Sequence, residues 1–427
     1  MKTRGLFAVL SALAWSACGP TPTPPSDAGV DAGVVDAGTD GGSMDFDAGV
    51  WDGGLLQLND VSVLFPLASS ATELSTSSLK PTAIGSRGML FPQATYDAVG
   101  HISGSSGNPP PGGIGEALYP DLHIVAVRVD PCFAELNPDP HSTTCENQLR
   151  LIIQEVKATG GTGNGFDSAM HVFYRLNRAE VLAFARGVAM LREANAPGQR
   201  LGKLAPHPVM VTQGLGGAMA SGVRALILRY AGVQNLMRVT KLSASTAGFG
   251  WDFSGFDIAP NGTLTAMVIP SLAMNATSQS LFSGFSITSP EAFFSPSTTS
   301  ADDFTRLSSS MSAGMLTMQE RATAFDALIR VNHPARNSPN TIDCASCHFA
   351  TPTSVLIAKA KYSLDEATTA GVFTVTGPAV LPTELVPTFQ TTGGFNVHAF
   401  SYFDAEPGIN QRVVNESAAV VEFLNSP

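Results

Sequence analysis

Two stretches, DLHIVAVRVD (121–130) and NQLRLIIQEV (147–156), carry their apolar and polar residues in the alternating manner of strands that face a core. A strand turns its side chains to opposite faces at every residue, so runs like these demand a sheet. SAMHVFYRL (168–176) is another strand candidate, and LNDVSVLFPL (58–67) looks like a first strand. Further strands are expected at 208–213 and around 234–245, 251–259 and 263–270. Between them, NRAEVLAFARGVAMLREA (177–194) has helical spacing: Asn177 can cap, Glu180 completes a capping-box pair, and Val181, Leu182, Ala185, Val188 and Ala189 share one face. Pro197-Gly198 stops it, and a second helix is expected over 218–231.

The pattern changes after a Ser/Thr/Pro-rich segment, SITSPEAFFSPSTTSADD (286–303). From 304 onward it is helical. Met311, Met315 and Met318 fall on one helical face and read as helix core, MQERATAFDALIRVN (318–332) continues, and NQRVVNESAAVVEFLN (410–425) forms an amphipathic last helix. The expected fold class is α+β: a larger strand-rich α+β domain at 55–300, then a small all-α domain at 304–427.

The chain opens with Lys2 and Arg4, a ten-residue apolar run at 6–15, and the small residues Ser16 and Ala17 before Cys18. The run is too short to span a bilayer and is placed as an export signal. It resembles a bacterial lipoprotein signal over residues 1–18, which implies lipid attachment at Cys18. Trp15 departs from that pattern, and ordinary secretory cleavage near Ala12–Ala14 is the alternative. Residues 19–54 hold seven aspartates and no lysine or arginine, arranged as Asp-Ala-Gly repeats. Like charges extend such a segment and glycines loosen it, so it reads as a solvated tether. The formal net charge of −11 supplies no basic surface, which excludes nucleic acid as a partner.

Residues 344–348 read CASCH. Two thiols three apart on one turn can add across two vinyl groups of a porphyrin, and the imidazole next to the second can bind its iron from the same side. A zinc site would need a second pair of ligands nearby, and a redox CxxC would open a helix in a βαβ setting. Residues 318–427 resemble a class I c-type cytochrome domain, with a helix, CxxCH, a loop-rich middle and a final helix. The resemblance implies covalent haem c on Cys344 and Cys347, with His348 as proximal iron ligand. That family takes its second axial ligand from a downstream methionine, but no methionine follows Met318. His398 is the late histidine near that place and is the expected second ligand. An upstream residue (His333, Met315 or Met318) or an open sixth position remains as an alternative. Phe349, Phe395, Phe400, Tyr402 and Phe423 are candidate haem lining.

Cys132 and Cys145 enclose a twelve-residue loop and are expected to form a structural disulfide outside the cytoplasm. GLGGAMASG (214–222) lacks the third glycine of a dinucleotide loop and reads as a tight turn. His101, His123, His141, His171 and His207 are scattered singly and read as core or surface histidines. The expectation that results is an exported protein, lipid-anchored to the outer membrane or cell surface or otherwise periplasmic. It carries one haem for electron transfer to a redox partner that the sequence does not name. A haem enzyme or a gas-sensing lipoprotein with an open iron site is the alternative.

Overall fold

The computed structural model describes residues 54–104, 115–131, 146–159, 162–244, 250–284, 291–299, 304–338, 341–369, 371–389 and 396–426. Cys18, the tether, Cys132, Cys145, His141 and Phe395 lie outside the described residues.

The alternating runs become one antiparallel sheet whose main strands lie side by side in chain order. They are β1 (Ser62–Leu64), β2 (Leu122–Asp130), β3 (Gln148–Thr159), β4 (Ala169–Arg175), β5 (Leu236–Ala244), β6 (Gly250–Ile258), β7 (Ser278–Gly284) and β8 (Glu291–Ser295). Two short strands, Thr162–Gly165 and Leu264–Ala266, pair with β3 and β6. The register decides which residues share a face, because directly opposed residues point the same way. Arg128 faces Arg150, Arg150 faces Phe173, and Ile152 faces His171. His171 faces Thr240, Leu242 faces Phe253, and Phe253 faces Gln279. These residues line one face of the sheet.

The opposite face, with Leu149, Leu151, Met170, Val172 and Val239, is buried under two helices. They are α1 (Arg178–Asn195) and α2 (Ala218–Tyr230), inserted between β4 and β5. α1 starts where the sequence places it: Asn177 Oδ1 accepts from the Glu180 amide, and Glu180 returns the bond to the Asn177 amide. The helices approach closely because Gly222 carries no side chain; a methyl there would run into Leu191. Gly214 turns the chain before α2 at φ +74°, as the tight-turn reading requires. In the same turn the Leu215 amide donates to Glu73 Oε1 at 2.6 Å.

The C-terminal part covers the charged and aromatic face. It contains α3 (Met318–Val331), α4 (Cys344–Pro352), a hairpin of β9 (Phe400–Phe403) and β10 (Glu406–Ile409), and α5 (Gln411–Asn425). Leu242, Trp251, Phe253, Leu281, Ala292 and Phe294 from the strands share one core with Phe325, Leu328, Phe349 and Ile357 from the helices. Contacts gather the described residues into a single unit, and the segment after 304 includes a hairpin as well as helices. No helix among the described residues is long and apolar enough to cross a membrane.

Four local expectations are corrected. Residues 208–213 form a helix, with Pro208 at its first turn, where a missing N–H costs nothing. The first strand shortens to Ser62–Leu64 behind a helical turn at Leu58–Val61. The strand expected over 263–270 is only Leu264–Ala266. The methionine stripe is not core: Met311, Met315 and Met318 are 70%, 77% and 80% exposed. The helix breaks between Met315 and Met318, where Thr317 caps α3 through the Glu320 amide, and the face they would have shared is lost.

Candidate haem-attachment site

Asp343 begins α4. Its side chain caps the helix by accepting from the Ser346 amide at 3.0 Å, and it also accepts from Gln279 Nε2 at 2.7 Å. Gln279 Oε1 takes the Ala345 amide at 2.9 Å. The first turn of α4 is thus clipped to β7 from both ends of one amide group. Cys344, Cys347 and His348 all lie on that turn and the next, which puts both thiols and the ring on one short piece of helix.

The His348 Nδ1–H donates to the Val397 carbonyl at 2.8 Å. In a neutral ring this fixes the tautomer and leaves the lone pair on Nε2, the arrangement that histidines bound to metals usually have. Burial holds His348 down to about 4, with nearby His398 and Arg150 adding to the effect, so the ring is neutral at physiological pH. Burial also pushes the Cys344 thiol up to about 12 and the Cys347 thiol up to about 11. Thiols so far from ionisation are poor redox nucleophiles. Both cysteines are free.

Around this turn stands a ladder of buried charges. Arg412 Nε lies 2.7 Å from Glu416, Glu416 lies 3.1 Å from Arg128, Arg128 lies 3.3 Å from Asp130, and Asp130 lies 2.9 Å from Arg150. Three guanidinium groups meet two carboxylates, and the Nε atoms of Arg128 and Arg150, like Asp130 Oδ2, are buried without a hydrogen-bond partner. A buried excess of positive charge with unfilled donors suits an anionic group, and the carboxylates of a porphyrin are of that kind. Cys344, Cys347, His348 and His171 keep some accessible surface while their ionisation carries the desolvation of deep groups. Among the described residues no three His, Cys, Asp or Glu side chains converge as a metal-binding group. Two thiols and an imidazole on one turn of helix are the donor set that a covalently attached haem would use.

His398 lies elsewhere in this neighbourhood. Its Nδ1 is 2.5 Å from Ser401 Oγ, and its Nε2 is 3.1 Å from Asp167 Oδ1, whose other oxygen takes the Trp251 indole N–H at 2.9 Å. Both ring nitrogens are engaged. Asp, His and Ser follow one another as in a hydrolase, but His398 and Ser401 are 2% and 1% exposed, so the trio ties the β9–β10 hairpin to the sheet. Of the other expected residues, Phe349 packs on Phe294 with ring centres 6.1 Å apart, inside the core beneath α4. Phe400 and Tyr402 belong to the larger core, and Phe423 lies under Arg178.

The structure brings a different histidine to His348. His171 on β4 has its ring centre 6.4 Å from that of His348, and Phe253 on β6 lies 5.1 Å from it. In sequence His171 looked like one scattered histidine among several. The signal was its strand position: it alternates with Met170 and Val172, which face the α1–α2 core, and so must point the other way, beside Phe173. No protein-family model matches the chain, and neither a curated protein nor a solved structure matches it.

Proposed function

We propose that the protein is an exported one-electron carrier with a single haem c attached through Cys344 and Cys347 and ligated by His348. The observation that carries this reading is one turn of helix bearing CASCH, with His348 Nδ1 committed to the Val397 carbonyl and Nε2 left for a metal. The haem would supply reversible one-electron chemistry at iron. The chain's own residues would hold it rigidly, keep water from it with Phe253 and Phe349, and compensate its carboxylates with Arg150 and Arg128. In this reading residues 304–427 serve as the c-type cytochrome part, built on the sheet face as its second wall. Cys18 would carry the lipid anchor and the acidic tract would be the tether.

The test is expression with c-type maturation machinery. Haem should stay with the polypeptide through denaturation and acid-acetone extraction, because thioethers survive both. Replacing Cys344 and Cys347 by alanine together should abolish retention. Haem extracted from the wild type would sink the proposal.

A further inference from the structure

We propose that His171 is the second axial ligand of the same haem, so that the iron is held between β4 and α4. This rests on the haem-attachment reading and replaces His398 in the sixth position. Two imidazoles bound to one iron, each nitrogen about 2 Å from the metal and about 1.1 Å from its ring centre, place the ring centres about 6.3 Å apart. The His171 and His348 rings are 6.4 Å apart. Their planes differ by 33°, and rings sharing one axis through a metal are free to twist about it.

The surroundings agree. Among the described residues neither nitrogen of the His171 ring has a hydrogen-bond partner, whereas both nitrogens of His398 do. His171, like Cys344, Cys347 and His348, keeps some accessible surface. Its neighbours on the sheet face are Phe173, 6.4 Å away in an edge-on contact, and Arg150, whose guanidinium lies 4.7 Å from the Phe173 ring centre. An aromatic wall with a cation at its rim suits a flat, apolar macrocycle with carboxylates at one edge. Two imidazoles close the iron to outside ligands and set a lower potential than histidine with methionine would, because sulfur ligation raises it. The site would therefore pass electrons and bind no gas.

The full-length haem-loaded protein tests this by absorption spectroscopy and carbon monoxide binding. The wild type should be low-spin in both oxidation states, lack the sulfur-to-iron charge-transfer band and leave carbon monoxide unbound. His171→Gly should keep its covalent haem, become high-spin and bind carbon monoxide, and added imidazole should restore the low-spin spectrum. His398→Gln should stay low-spin. His171→Met gives an independent reading should the glycine variant not accumulate: the sulfur-to-iron band should emerge and the midpoint potential rise. The inference is overturned if either His171 variant keeps the wild-type spectrum, or if His398→Gln is the one that opens the iron. A wild type with no covalent haem would instead remove the attachment itself, a separate outcome read from the extraction.

Discussion

Glu416 shows how strongly single residues are committed in this site. Burial alone would raise its carboxyl, yet Arg412, Arg128 and Arg150 together hold it down to about 2. It bridges Arg412 and Arg128; without it Arg128 would keep Asp130, and Arg412 would lose the carboxylate it pairs with. Breaking a buried pair by removing one partner costs about 3 to 5 kcal/mol, so Glu416→Gln should lower the urea midpoint sharply at neutral pH. The pH dependence follows from the direction of the shift. The unfolded chain, with its carboxyl near 4.5, takes the proton before the folded one does. The stabilisation is therefore full above 4.5 and is lost as the pH falls toward 2. Urea melts at neutral pH and at about pH 3 should show the wild type and Glu416→Gln converging in acid. Equal midpoint differences at both values would show that the carboxylate charge is not what matters.

At the scale of elements, α4 is positioned by β7. Gln279 spends both ends of its amide on the first turn, donating to Asp343 and accepting from Ala345. Gln279→Leu fills similar volume and removes both bonds, leaving the Ala345 amide without an acceptor. The expected loss is about 1 to 3 kcal/mol, with faster hydrogen exchange at Ala345 and Ser346. Unchanged exchange there would mean that Asp343 alone holds the helix start. The sequence told a good deal about elements and little about such ties. α1, α2, α3 and α5 were legible because caps and apolar spacing are local signals, and so were β2 to β6 through their period of two. Residues 208–213 were misread because PVMVTQ has strand composition, and only Pro208 marked it as a helix start. Half of the candidate site was legible, since Cys344, Cys347 and His348 are contiguous. His171 was not: alternation with Met170 and Val172 gives its face, but it lies far along the chain from His348, and only the folded sheet brings the two together.

The described residues are organised as three layers, with α1 and α2 on one side of the sheet and the CASCH-bearing segment on the other. That arrangement bears on whether residues 304–427 are a domain in their own right. Their core is completed by Leu242, Trp251, Phe253, Leu281, Ala292 and Phe294, all of which belong to strands. Arg412 and Glu416 on α5 depend on Arg128 and Asp130 of β2 for their charge balance. Taken alone, the segment would expose that apolar face, and each large side chain left uncovered forfeits about 1.5 to 3 kcal/mol of burial. A deficit repeated over several such side chains is comparable to the whole net stability of a small domain, about 5 to 15 kcal/mol. The fragment 304–427 should accordingly show no cooperative thermal transition by circular dichroism, and its own haem should not rescue the missing wall. The full chain should melt in one step, with the near-ultraviolet signal of Trp251 and the haem spectrum changing together. A fragment that melts cooperatively, or a full chain whose haem signal is lost well before the sheet unfolds, would make the C-terminal part an independent body and the sheet only its support.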